Sequence, residues 1–158
     1  MSTAETAAQR KLSVADSDRT FLLDCLKKII HIRAFEQCAL EASQAIPPKV
    51  SGSIHLCAGQ ETVPVATVAG LDSADQIIST YRGHGWALAS GLPVLEVLGE
   101  VCQRSVGING GRGGSAYLMA PWTRFIGENS IVGAGVPIAC GVAQANLAQG
   151  NRRVVVVS

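Results

Sequence analysis

No lysine follows Lys49 in this chain of 158 residues. A Walker-type phosphate loop is therefore excluded downstream, because it needs a lysine against the bound phosphates. The five cysteines, Cys25, Cys38, Cys57, Cys102 and Cys140, include no Cys-x-x-Cys pair. An odd set of scattered cysteines fits reduced thiols in a cytosolic protein and offers no zinc-ligand spacing. Charge is scarce too: 16% of residues are charged and the formal net charge is +1. That balance gives no footprint for nucleic acid or for an acidic membrane. Residues 1–19 are polar and lack the apolar core of a signal peptide, and 1–17 read as a flexible tail. The longest apolar stretch, 133–148, is interrupted by Gln144 and Asn146 and is too short to span a bilayer. The expectation is a cytoplasmic protein without nucleic-acid or membrane partners.

Apolar residues make up 47% of the chain, enough for one domain with a real core. The low charge suggests that much of the surface is buried against another chain. A first helix is expected from about Asp16–Asp18, with Leu22, Leu26, Ile29 and Ile30 as its buried face. It should stop before Pro47-Pro48. A short helix is expected over 63–69, with Pro64 in its first turn and Gly70 at its end. Residues 75–80 read as a strand. Pro93 opens a helix whose core face is Val94, Val97, Leu98 and Val101. Nine of the seventeen glycines fall between Gly107 and Gly141, a density that points to positive φ or close backbone approach. Pro137 starts a helix over 138–149, apolar nearly all round and so expected to be buried, with Gly150 at its C′ position. The segment Val154-Val155-Val156-Val157 is a last strand. Strands alternating with helices argue for an α/β fold with a parallel sheet. Two convincing strands are too few for a stable sheet, so the expectation is half a domain in residues 18–158.

Four segments can carry chemistry. Thr80-Tyr81-Arg82-Gly83-His84-Gly85 follows a strand, at the edge where open α/β sheets bind ligands. Arg82 offers a planar fork of donors suited to a diphosphate, Tyr81 a hydroxyl and His84 a titratable ring. A solvated turn would show the same residues. Gly110-Gly111-Arg112-Gly113-Gly114-Ser115 can form an anion-binding nest of backbone amides, or a flexible surface loop. Asn129-Ser130-Ile131-Val132-Gly133-Ala134-Gly135 runs into a helix N-terminus, an electropositive position. It is no dinucleotide fingerprint, because Ile138 stands where a small residue is needed and no strong strand precedes it. A glycine turn for close packing is the plainer reading. Ser53-Ile54-His55-Leu56-Cys57-Ala58-Gly59-Gln60-Glu61 places His55 in a semi-apolar loop, where a histidine is usually structural. His31 lies in the first helix, at a surface or an interface.

In this order the segments, with Ile32-Arg33-Ala34-Phe35-Glu36, resemble the α subunit of thiamine diphosphate-dependent 2-oxo acid dehydrogenases of the pyruvate and acetoin type. The resemblance covers about 18–158. It implies the N-terminal half of a thiamine diphosphate-binding domain, an incomplete doubly wound parallel sheet. It implies that Tyr81 and Arg82 bind the cofactor diphosphate. It implies that Ser130 and Val132 contact the aminopyrimidine through their backbone. It gives His55 and His84 a catalytic place beside diphosphate and substrate. Two departures stand out. Ala116-Tyr117 replaces a Met-His pair, and Ser130 replaces a glycine. No metal ligand is assigned in this chain. The family's Gly-Asp-Gly motif, whose aspartate holds Mg2+, is expected from a second polypeptide, with a β-type subunit completing the site. The implied reaction is decarboxylation of a small 2-oxo acid with acyl transfer to a lipoyl-bearing acyltransferase or a carbonyl acceptor, or acyloin cleavage. This chain would be inactive alone. The alternative is a non-catalytic fragment or assembly partner that keeps the fold without the chemistry.

Overall fold

Gln76-Ile77-Ile78-Ser79-Thr80 forms the middle strand of the sheet, with Ile77 and Ile78 buried on opposite faces. The computed structural model describes residues 16–158, with side chains from Asp18 onward. The tail expected over 1–17 lies almost wholly outside the described residues. The order of elements is α1 (Asp16–Gln44), α2 (Thr62–Ala69), β1 (Gln76–Thr80), α3 (His84–Ala89), α4 (Val94–Val101), β2 (Phe125–Asn129), α5 (Gly135–Ala148) and β3 (Val155–Val157). The strands form a parallel sheet in the order β2-β1-β3. Ser79 stands opposite Glu128 and Ile77 opposite Val156. All three carboxyl ends therefore share one edge. Asp75 ties the opposite edge together by accepting the amides of Asp72 and Val154 at 2.9 and 2.8 Å.

The core joins Ile32, Phe35 and Ala39 of α1 to Val65 and Val68 of α2, Ile77 of β1, Trp86 and Ala87 of α3, and Val97 and Val101 of α4. Phe125 of β2 and Leu118 close it. At about 25 cal/mol per Å2 of apolar area, these side chains are the main favourable term in folding.

Three expectations need correction. First, the buried stripe of α1 is Ile32, Phe35, Glu36 and Ala39, whereas Leu22, Leu26 and Ile30 are about half exposed. Both sets have helical spacing, but only the later turns meet α3 and α4. Second, α5 is not buried all round: Gly135, Ala139 and Asn146 are its buried residues, and Leu147 and Val136 face solvent. One side packs on β1 and β3, where Asn146 donates to Gln76 at 2.7 Å, and no described residue covers the other. Third, a strand does precede Gly133-Ala134-Gly135. The segment Phe-Ile-Gly-Glu-Asn of β2 hides its strand character behind Gly127 and Glu128, residues depleted from strands. Its outer edge is bridged antiparallel by Met119 opposite Gly127. Among the described residues, no helix is long and apolar enough to cross a membrane.

Candidate functional site

Chain reversal after β1 and β2 delivers Tyr81-Arg82 and Ser130-Ile131-Val132 to the same edge of the sheet. Arg82 is exposed and gives one Nη1–H to the carbonyl of Leu56, leaving its other donors facing outward. Its guanidinium carbon lies 5.9 Å from the centre of the half-buried Tyr81 ring. His55 packs edge-on against that ring at 5.2 Å and 62°. Burial lowers the His55 pKa, and the nearby His84 and Arg82 lower it further. Its Nδ1 is buried without a partner. Beyond β2, the Ile131 amide donates to Asn129 Oδ1 at 2.7 Å, and Gly133 takes φ +87° as the chain turns into α5. Ile131 and Val132 are largely exposed. The Ser130 hydroxyl bonds the Tyr117 hydroxyl. The two positions that depart from the family pattern are thus partners.

Beneath this edge lie four buried glutamates, each holding loop backbone. Glu36 accepts the Cys57 amide at 3.0 Å and the His84 Nδ1–H at 2.9 Å. His84, wholly buried, places Nε2 2.9 Å from Ser115 Oγ, and Ser115 Oγ accepts the His55 amide at 2.8 Å. Glu61 accepts the Gly59 amide and is gripped by both ends of the Arg33 fork. Chiefly through Arg33, its pKa falls to about 2. Glu128 accepts the amides of Gly83 and Leu118 at 2.8 and 2.9 Å. Burial pushes its pKa well above the usual carboxylate range. Burial, together with Glu36, also raises the Cys57 thiol to about 12.

Glu100 corrects the reading of the glycine-rich loop as an open anion site. Its carboxylate, fully buried on α4, accepts the amides of Asn109 and Gly111 on one oxygen, and those of Gly113 and Gly114 on the other, at 2.6–3.2 Å. The nest exists, and the chain's own carboxylate fills it. Gly111 sits at φ +76°, and a Cβ there would meet the Gln103 carbonyl carbon at 2.6 Å. Glycine is required there twice over.

The structure gathers Tyr81, Arg82, His55, Ser130 and Val132 at or near one edge. His84 it places below, with no exposed surface and both ring nitrogens engaged. A cleft of about 190 Å3 at the edge is lined by Cys57, Gln60, Thr80, Arg82, Trp86 and Ser158, among others, with no Asp or Glu side chain among them. Among the described residues, no group of three His, Cys, Asp or Glu is placed to hold a metal ion.

The family model described as "Dehydrogenase E1 component" matches residues 27–158. The chain belongs to that family. Its relatives include the pyruvate dehydrogenase E1 component subunit alpha of Sus scrofa, somatic and mitochondrial, 39% identical over 123 residues, 77% of this chain. The corresponding subunits of Saccharomyces cerevisiae and Zymomonas mobilis are each 37% identical, covering 83% and 82% of this chain. The chain spans 30–36% of the length of these three relatives. It is thus α-subunit-like, of the 2-oxo acid dehydrogenase type. Within this E1 chain, sequence reasoning missed Glu36, Glu100, Glu128 and Ser115 as organisers of the site. The one available signal was a charge on a core face: Glu100 stands beside Val97 and Val101 on the buried side of α4.

Proposed function

We propose that these residues form one wall of a thiamine diphosphate site in an enzyme that decarboxylates a small 2-oxo acid. The acyl group passes to a lipoyl-bearing acyltransferase. A carbonyl acceptor, or an acyloin substrate, is the finer alternative within the same chemistry. The observation that carries this is the convergence of Tyr81-Arg82 and Ser130-Val132 on one carboxyl edge of a parallel sheet.

The donor set fits an anionic cofactor. Arg82 keeps free guanidinium donors for a diphosphate. No Asp or Glu side chain lines the cleft beside it. The turn at Ile131–Gly133 exposes backbone at the start of α5, an electropositive end. Tyr81 flanks Arg82 and holds His55 by ring contact. Ser130 and Val132 would orient the aminopyrimidine through their main chain. When bound, the cofactor supplies the electron sink that lets a bond beside a carbonyl break. His55, its pKa lowered chiefly by burial, stands beside Tyr81 at this edge with a buried, unpartnered Nδ1. His84 acts through its neighbours rather than by contact. Mg2+ ligands, the rest of a doubly wound sheet and a β-type subunit come from polypeptide outside these 158 residues, continuous or separate. A cytoplasmic setting is part of the proposal.

Calorimetry with thiamine diphosphate and Mg2+ tests it, on this chain alone and with the completing polypeptides. Binding in the completed assembly is the expected result, and no binding there would leave only a non-catalytic role. In that assembly Arg82→Ala should weaken binding more than tenfold, about 1.4 kcal/mol, as a charge-assisted contact is lost. Unchanged affinity would remove Arg82 from the diphosphate.

A further inference from the structure

We infer that Glu36, His84 and Ser115 form a buried positioning relay that fixes the His55 loop at the site edge. The inference rests on the placement of His55 proposed above. The relay crosses three separate parts of the chain: α1, the start of α3, and the turn at 114–116 that follows the glycine-rich loop. Its members are 5% exposed or less. Nothing outside the protein reaches Ser115 Oγ, so the Ser-His-Glu order is not a nucleophilic triad.

The hydrogen bonds allow one consistent arrangement. Glu36 Oε1 is an acceptor, so His84 carries its proton on Nδ1. Nε2 is then an acceptor, and the Ser115 hydroxyl donates to it. That leaves an oxygen lone pair of Ser115 for the His55 amide. Every donor has an acceptor and none is orphaned. With the opposite tautomer, Nδ1 would face Glu36 as a lone pair, and the Ser115 proton would have no recorded acceptor. Glu36 also takes the Cys57 amide, two residues beyond His55. The His55–Cys57 segment is therefore held at both ends by one connected network, while Tyr81 fixes the imidazole from the side. The His55 ring is left with its Nδ1 buried and unpartnered. On a loop pinned this firmly, the ring stays in register with the edge that carries Tyr81 and Arg82.

The three histidines allow a direct test by nitrogen-15 NMR of the full chain, with exposed His31 as internal reference. In the wild type, His84 should show the Nδ1-protonated tautomer, and His55 should titrate below the ordinary histidine value of 6.5. Ser115→Ala should raise the His55 midpoint toward 6.5, while Glu36 still holds the His84 proton on Nδ1 and circular dichroism is unchanged. Ser115→Thr, which keeps the hydroxyl, should restore the wild-type His55 midpoint. An Nε2-protonated His84 in the wild type would overturn the relay without any variant having to fold. So would an unmoved His55 midpoint in folded Ser115→Ala. The measurement needs no cofactor. An intact relay in an assembly that fails to bind thiamine diphosphate would sink only the functional proposal.

Discussion

Single carboxylates organise this site from beneath, and Glu100 shows the cost of losing one. Its two oxygens receive four backbone amides from 109–114. Removing a buried acceptor leaves each donor to bear its own desolvation. Glu100→Ala should therefore lower stability by about 3 kcal/mol or more, measured by urea unfolding. Glu100→Gln should fall between, because its amide nitrogen faces N–H groups that need acceptors. A loss under about 1 kcal/mol would mean that other contacts shape the loop. Sequence reasoning foresaw the nest from its glycines but not its occupant. A glutamate in a helix is usually solvated, and only the fold reveals that this one points inward. Arg33 and Glu61 lie 28 residues apart, and nothing local in the sequence announces such a pair. The place of Tyr81 and Arg82 at the carboxyl end of β1 was legible from a local pattern, a β-branched run followed by Gly83.

Elements were read best where one periodicity decided them. The stripe Val94, Val97, Leu98, Val101 gave α4, and the β-branched runs gave β1 and β3. β2 escaped because its middle is shaped by a contact rather than by propensity. Glu128 crosses from β2 to the amide of Gly83 at the β1–α3 turn. A Cβ on Gly83 would sit 2.1 Å from Glu128 Oε2 and 2.7 Å from Ser79 Oγ. Gly83→Ala should accordingly cost about 1–3 kcal/mol by overpacking. Glu128→Ala should also destabilise, by orphaning two amides. The double variant should lose less than the sum, since the smaller residue 128 makes room for the new methyl. Strict additivity in denaturant unfolding would show that the two residues do not share this space.

At the scale of the whole molecule, the buried ionisable groups set how stability follows pH. Glu61, held at about 2 against an ordinary 4.5, contributes stability that is complete above 4.5 and lost as pH falls through about 2. His55, shifted down from 6.5, adds a loss as pH drops below that value. Glu128 works the other way: its raised value favours the protonated form, so its contribution is complete below 4.5 and declines as pH rises through its folded value. Urea midpoints measured from pH 2 to 8 should therefore fall on the acid side, and Arg33→Gln should flatten the limb below pH 4.5. An acid limb of unchanged steepness would show that the Arg33–Glu61 pair is not its source. Apolar side chains left open on α1 and α5, among them Leu22, Leu26 and Leu147, belong to faces that local periodicity could mark as apolar without saying what they meet. Glu100 bears on the whole molecule as well. Its carboxylate is tethered to the polypeptide, so it competes for the nest at an effective concentration that no dissolved phosphate or sulfate approaches. The loop should hold its shape regardless of the salt around it.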